Sequence, residues 1–338
     1  MKRIDRDLAA ALAACALLGA IALVSVCVGS FPLSVSQIGR LLAGGLRDTL
    51  ESRVFWMLRV PRVAMGVLAG LALGLAGGVY QTIFRNPLAS PDLTGVASGA
   101  SFGAACAIVL GAGGTLQIMA GAFAAGMASL VAVLLLVRLS RTERTGTYIL
   151  AGVIVASVAE AGLMVLKTVA DPERELAAVE FWTMGSLASV TADKVLAVLP
   201  GVLPPLLLLL LFRRQTAMLS LGEENARCMG LDPAVWRTAL LSLTTLLVAS
   251  VVSLTGVIAF AGLIAPHIAF LLARRRTGLY LPLCGLTGAV LIVAADVLAR
   301  GLSPGAELPL SILTILFAVP LLALLLCGGK GERHGNDL

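Results

Sequence analysis

The chain has 338 residues, 59% of them hydrophobic and 13% charged, with a mean hydropathy of +0.99 and a formal net charge of +6. Globular domains carry roughly 25% charged residues, so a water-soluble protein is excluded, and the basic residues at span ends speak for orientation in a bilayer rather than nucleic-acid binding. A spanning helix takes about 20 apolar residues, and ten of them leave only short connections, with no room for a soluble catalytic domain.

Met1-Lys2-Arg3 before an apolar run imitates a secretory signal, but 8–28 is too long for a cleaved segment and is read as a retained first span. Segment 29–60 follows, long enough for surface structure. Further spans are expected over 63–84, 93–111, 114–137, 148–169, 195–212, 238–257, 258–273, 277–295 and 308–327, ten in all, making 1–338 one transmembrane domain. Glycines within an over-long run place the break at 111–114, and length with Pro266 places the one near 256. Gly66, Gly70, Gly74 and Gly78 recur every fourth residue, as do Gly95, Gly99 and Gly103. Small residues at this spacing let helix backbones approach closely, so both stripes read as packing surfaces.

Charge at the bilayer centre costs at least ~2.5–3.5 kcal/mol, which makes the few charges in spans informative. Glu160 and Lys167 share a helix face about 10 Å apart, and Asp296 and Arg300 stand at i, i+4. Either pair reads as local neutralisation or as a polar wall of a passage. Segment 171–194 lies on the same side as 29–60. On the other side, 213–236 is the longest connection; there Gly222 and Gly230 bracket a charged, helix-forming run suited to contact with another protein.

An even number of spans puts both termini on one side. That side receives 16 of the 25 lysines and arginines, so the positive-inside rule makes it cytoplasmic and puts Arg59, Arg62 and Arg300 outside. Trp56, Trp182 and Trp236 fall at span ends, as an interfacial belt requires. Six scattered cysteines support neither disulfides nor a zinc site. His267, after Pro266, reads as a hydrogen-bonding residue of a helix turn and His334 lies in a polar tail, so no metal is expected. The phosphate loop, H-E-x-x-H and G-x-S-x-G patterns are absent, so neither catalysis nor ATP hydrolysis is credited to this chain.

Several separated motifs carry a resemblance. They are Arg59-Val60-Pro61-Arg62, Gln81 through Asn86-Pro87-Leu88-Ala89-Ser90-Pro91, Leu150-Ala151-Gly152 and Trp182-Thr183-Met184-Gly185-Ser186-Leu187. After these come Leu221-Gly222 with Ala226 and Gly230, Phe260 through Pro266-His267, Ala295-Asp296 with Arg300, and Glu307-Leu308-Pro309. In order and over residues 55–327, the chain resembles FecCD-type permeases of ABC importers for iron-siderophore complexes, haem or cobalamin.

The resemblance implies a type II importer permease: an all-α subunit of ten helices that works as a dimer, with two cytoplasmic ATP-binding subunits and a periplasmic binding protein. ATP and Mg would be bound by the ATPase partner, with no cofactor in this chain. It further implies that Arg59, Arg62 and Arg300 meet acidic residues of the binding protein. Leu221, Gly222, Glu223, Ala226, Arg227 and Gly230 would seat the ATPase. Thr145, Gly146 and Thr147 match the cytoplasmic gate, with Gly152, Ala156 and Glu160 on the path-lining span. Asn86, Pro87, Pro266, His267 and Asp296 are structural positions of the motifs. Two departures stand out: Arg274-Arg275-Arg276-Thr277-Gly278 replaces the family's Gly-x-Asp-His-Arg, and Thr94-Gly95 its Leu-Gly. The expected cargo is an iron chelate, siderophore or haem, with cobalamin as the alternative. An ion-coupled secondary transporter is the rival from another class, with Glu160 as its central carboxylate.

Overall fold

The computed structural model describes residues 2–29, 31–45, 49–111, 114–142, 145–273, 278–302 and 307–328, and among these the regular structure is entirely helical. The helices are α1 (Lys2–Cys27), α2 (Val35–Leu42), α3 (Leu50–Arg53), α4 (Val60–Ile83), α5 (Val96–Val109), α6 (Thr115–Leu139), α7 (Thr145–Val169) and α8 (Glu175–Thr183). They continue with α9 (Ala192–Leu211), α10 (Arg213–Leu219), α11 (Glu223–Cys228), α12 (Pro233–Thr255), α13 (Ala261–Ala273), α14 (Tyr280–Leu302) and α15 (Leu310–Gly328). Each expected span coincides with one of these. Seven are long and apolar enough to cross a membrane, and α5, α13 and α15 are shorter apolar helices.

Segment 29–60, expected to be long enough for surface structure, carries short helices. Its α2 is a short amphipathic helix with a Ser34–Gln37 capping box. From Leu50 the chain is helical without a break to Ile83, through a π-helical turn at Val54–Arg59. Pro61 lacks the N–H a regular ladder needs, and the ladder loosens just before it. Arg59 and Arg62 therefore lie within a helix instead of ahead of one.

The core is α4 packed on α12, α13 and α14. The glycine stripe of α4 works as its spacing predicts: a Cβ on Gly70 would sit 2.3 Å from Ala289 Cα, and one on Gly74 2.1 Å from the Cys284 carbonyl oxygen. In α5, Gly103 likewise meets the Gly121 carbonyl of α6. Gly95 is the exception in its stripe, since it ends a 3-10 turn (Pro91–Thr94) in the left-handed region, φ 69°, and starts α5 late.

The Trp182–Leu187 motif forms a three-way backbone junction. Ser186 N–H donates to Thr255 O, while Leu310 and Ser311 N–H donate to Gly185 and Met184 O. Gly256 and Gly185, both at φ 69°, let these strands of chain touch. Residues 274–277 and the C-terminal residues Lys330, Arg333 and His334 lie outside the described residues.

Candidate functional site

Two polar clusters occupy opposite ends of α4, whose 24 residues span about 36 Å. At its start, three guanidiniums surround two carboxylates. Arg62 donates from Nε and Nη2 to Asp296 Oδ1 at 2.9 and 2.8 Å, and from Nη1 and Nη2 to Glu307 at 2.6 and 2.9 Å. Arg300 pairs with Asp296 Oδ2 at 2.9 Å, the expected i, i+4 contact. It also donates to the Ser25 and Val28 carbonyls and the Ser25 hydroxyl, and Arg59 donates to the Val28 and Phe31 carbonyls. The C-terminal carbonyls of a helix have no partners of their own, so Arg59 and Arg300 close the end of α1.

These arginines were expected on the outer face, meeting acidic residues of a binding protein, with Arg300 also placed to pair with Asp296. The structure brings all three together at one end but buries them: Arg59 is 8% exposed, and the side chains of Arg62 and Arg300 are 12% and 5% exposed. Glu307, at 35%, is the most accessible member. Glu307 entered the sequence reading only as part of a motif, and nothing in its spacing announced an ion pair with a residue 245 positions away.

Two further expectations change. Glu160 and Lys167 do not neutralise each other: Glu160 accepts from Ser98 Oγ of α5 at 3.1 Å, and Lys167 pairs with Glu180 of α8 at 2.9 Å. Gly152 and Ala156 do not form an open face either. A Cβ on Gly152 would lie 1.7 Å from the Leu93 carbonyl oxygen, and the backbone nitrogen of Ala156 lies against Gly95. The open face of α7 instead carries Val153, Val158, Glu160, Met164 and Val165.

At the far end of α4, α10 and α11 flank a cavity of about 450 Å³ whose lining includes Ile83, Arg85, Thr145, Gly222, Glu223 and Arg237. Gly222 (φ 101°) and Gly230 (φ 81°) bound α11 as the sequence predicts. Ala226 is fully buried, while Leu221, Glu223, Glu224, Arg227 and Met229 are exposed, giving a stiff, mixed apolar and charged knob. Thr145, Gly146 and Thr147 open α7 beside it, with Thr145 lining the cavity.

Sequence reasoning missed Arg237, which is 4% exposed, pairs with Glu223 at 2.5 Å and stands 5.7 Å over the Tyr148 ring. An arginine one residue after Trp236 looked like a span-end charge. Nearby, Asn86 Oδ1 accepts from Leu88 N–H and shapes the turn at Pro87. His267 Nδ1 lies 2.8 Å from the Leu263 carbonyl oxygen and 3.3 Å from Gln81 Nε2, the helix-turn role expected of it next to buried Pro266.

A profile of the FecCD transport family matches residues 16–328. The molybdate import system permease of Haemophilus influenzae is 34% identical over 320 residues, covering 94% of each chain. The hemin transport system permease of Yersinia pestis is 34% identical, over 83% of this chain and 85% of the relative. The vitamin B12 import system permease of Escherichia coli is 36% identical, over 80% and 82%. Among solved structures, an inward-facing metal-chelate type ABC transporter superposes with a TM-score of 0.83 at 32% identity, covering 94% of this chain and 98% of that one.

Proposed function

Because the chain belongs to the FecCD transport family, we propose that it is the ten-helix permease subunit of an ATP-driven importer carrying an iron chelate, siderophore or haem, into the cytoplasm. It works as a pair of copies in a bacterial inner membrane with both termini cytoplasmic. Two ATP-binding subunits, which hold the ATP and Mg, seat on α10 and α11, and a periplasmic binding protein meets the end bearing Arg59, Arg62 and Arg300. The observation that carries this reading is the cavity and knob around α11, a built seat at one end of a bundle whose other end is closed by ion pairs. The likeness to a metal-chelate transporter and a hemin permease supports the cargo class; the cobalamin and molybdate relatives supply its competitors.

Docking by acidic residues then entails exchange. An arriving carboxylate reaches Arg62 by displacing Glu307, the accessible member of the cluster. Import would follow from ATP-driven movement of α11 that reopens the bundle, with Thr145–Thr147 at the gate and α7 lining the path with Glu160.

The test is reconstitution in proteoliposomes. With ATP-binding subunits, ATP and a loaded binding protein, a ferric chelate accumulates, and excess cobalamin or molybdate does not compete. Uphill movement by this chain alone, driven by an ion gradient, overturns the importer reading; competition by cobalamin overturns the cargo.

A further inference from the structure

Taking the importer reading as given, something must carry movement of α11 to the membrane-spanning helices. Backbone packing does not do it directly for α7, which lies chiefly on α5, α6 and the 3-10 turn before α5. Side chains bridge the gap. Arg237, in the first turns of α12, pairs with the Glu223 carboxylate of α11 through Nη2 while its Cζ stands 5.7 Å from the ring centroid of Tyr148, in the first turn of α7. Tyr148 is 2% exposed, and its hydroxyl shares a hydrogen bond with Thr238 Oγ1 at 3.1 Å, which fixes the ring beside the guanidinium. Three helices thus meet on one buried cation, and the α7 end of that contact, Tyr148, directly follows Thr145–Thr147.

We propose that Arg237 is the positioning residue that transmits displacement of α11 to the gate end of α7, through the Glu223 ion pair on one side and the Tyr148 ring on the other. A guanidinium suits the task because it pairs in its plane and stacks on its face at the same time, whereas an ammonium is a point charge. Loss of either arm leaves α11 free to move without α7 following.

The experiment compares wild type, Arg237→Met, Arg237→Lys, Tyr148→Leu and Tyr148→Phe in the reconstituted complex, reading solute moved per ATP hydrolysed together with recovery of the complex on size exclusion. Tyr148→Leu and Arg237→Met are expected to lower that ratio roughly tenfold, the scale of one desolvated cation–π contact. Tyr148→Phe keeps the ring and stays within about twofold of wild type, and Arg237→Lys falls between. Should Arg237→Met fail to assemble, the Tyr148 pair decides. A wild-type ratio in Tyr148→Leu, or equal loss in Tyr148→Phe and Tyr148→Leu, overturns the proposal. Failure of the importer reading is separate and shows in the wild type, as transport that proceeds without ATP.

Discussion

Replacing Asp296 by Asn tests whether the guanidinium cluster holds the fold together. Asp296 is 1% exposed, and its two oxygens serve different partners, Oδ1 for Arg62 and Oδ2 for Arg300. Asn offers one acceptor, so whichever way the amide turns, an NH₂ group faces a guanidinium and a buried cation loses its counter-charge. Removing one member of a buried ion pair costs about 3–5 kcal/mol. Arg62 keeps Glu307 and Arg300 keeps the Ser25 and Val28 carbonyls, which argues for the lower end, about 3 kcal/mol. Glu307→Gln, at a partly exposed site, should cost about 1 kcal/mol or less. Combining Asp296→Asn with Arg300→Met removes the stranded charge and should recover part of the loss. The assay is equilibrium unfolding of the detergent-solubilised protein. The reasoning fails if Asp296→Asn unfolds like the parent, or if Glu307→Gln costs more than Asp296→Asn.

Two further outcomes follow from packing and exposure. A Cβ on Gly77 would lie 1.7 Å from the Gly262 carbonyl oxygen, and backbone cannot yield as a side chain can, so Gly77→Ala should destabilise by about 1–3 kcal/mol. Gly126→Ala meets neighbours only at 3.4–3.7 Å and should be recovered like wild type; comparing the monodisperse yield of the two checks the pair. The Lys167–Glu180 contact is half open to solvent, so Lys167→Met should change thermal stability by only ~0.2–1 kcal/mol, less again in high salt.

What the sequence disclosed and what it hid divide along physical lines. Helices were legible because apolar run length is a local property: every expected run is a helix, and seven are long and apolar enough to cross a membrane. Gly66 to Gly78 were legible as packing because the spacing alone puts small residues on one face. Helix ends were harder: Arg59 and Arg62 looked like loop residues because charge near Pro61 mimics a span boundary, whereas the structure keeps that stretch helical and buries it against α1 and α14. Partner choice was hardest. Asp296 with Arg300 could be read at i, i+4, but Arg62 with Glu307, which precedes α15, and Lys167 with Glu180 of α8 join segments apart in sequence, which no periodicity reports. Gly152 shows the same limit from the other side: the resemblance put it on a path-lining span, and the structure uses its small size to admit the Leu93 carbonyl.

These contacts also sort the bundle into parts that must move together and parts that need not. Helices α4, α13 and α14 meet through backbone at Gly70, Gly74 and Gly77, where no side chain can adjust, so this centre behaves as one body. Helix α1 is joined at its C-terminal end through the side chains of Arg59 and Arg300. Helix α7 is different again: backbone contact at Gly152 and Gly95 holds its middle, while side chains hold its ends, Tyr148 on Arg237 and Lys167 on Glu180. The least adjustable contact of α7 is therefore the backbone one near its middle. Its open face carries Val153, Val158, Glu160, Met164 and Val165, all exposed and so outside that contact.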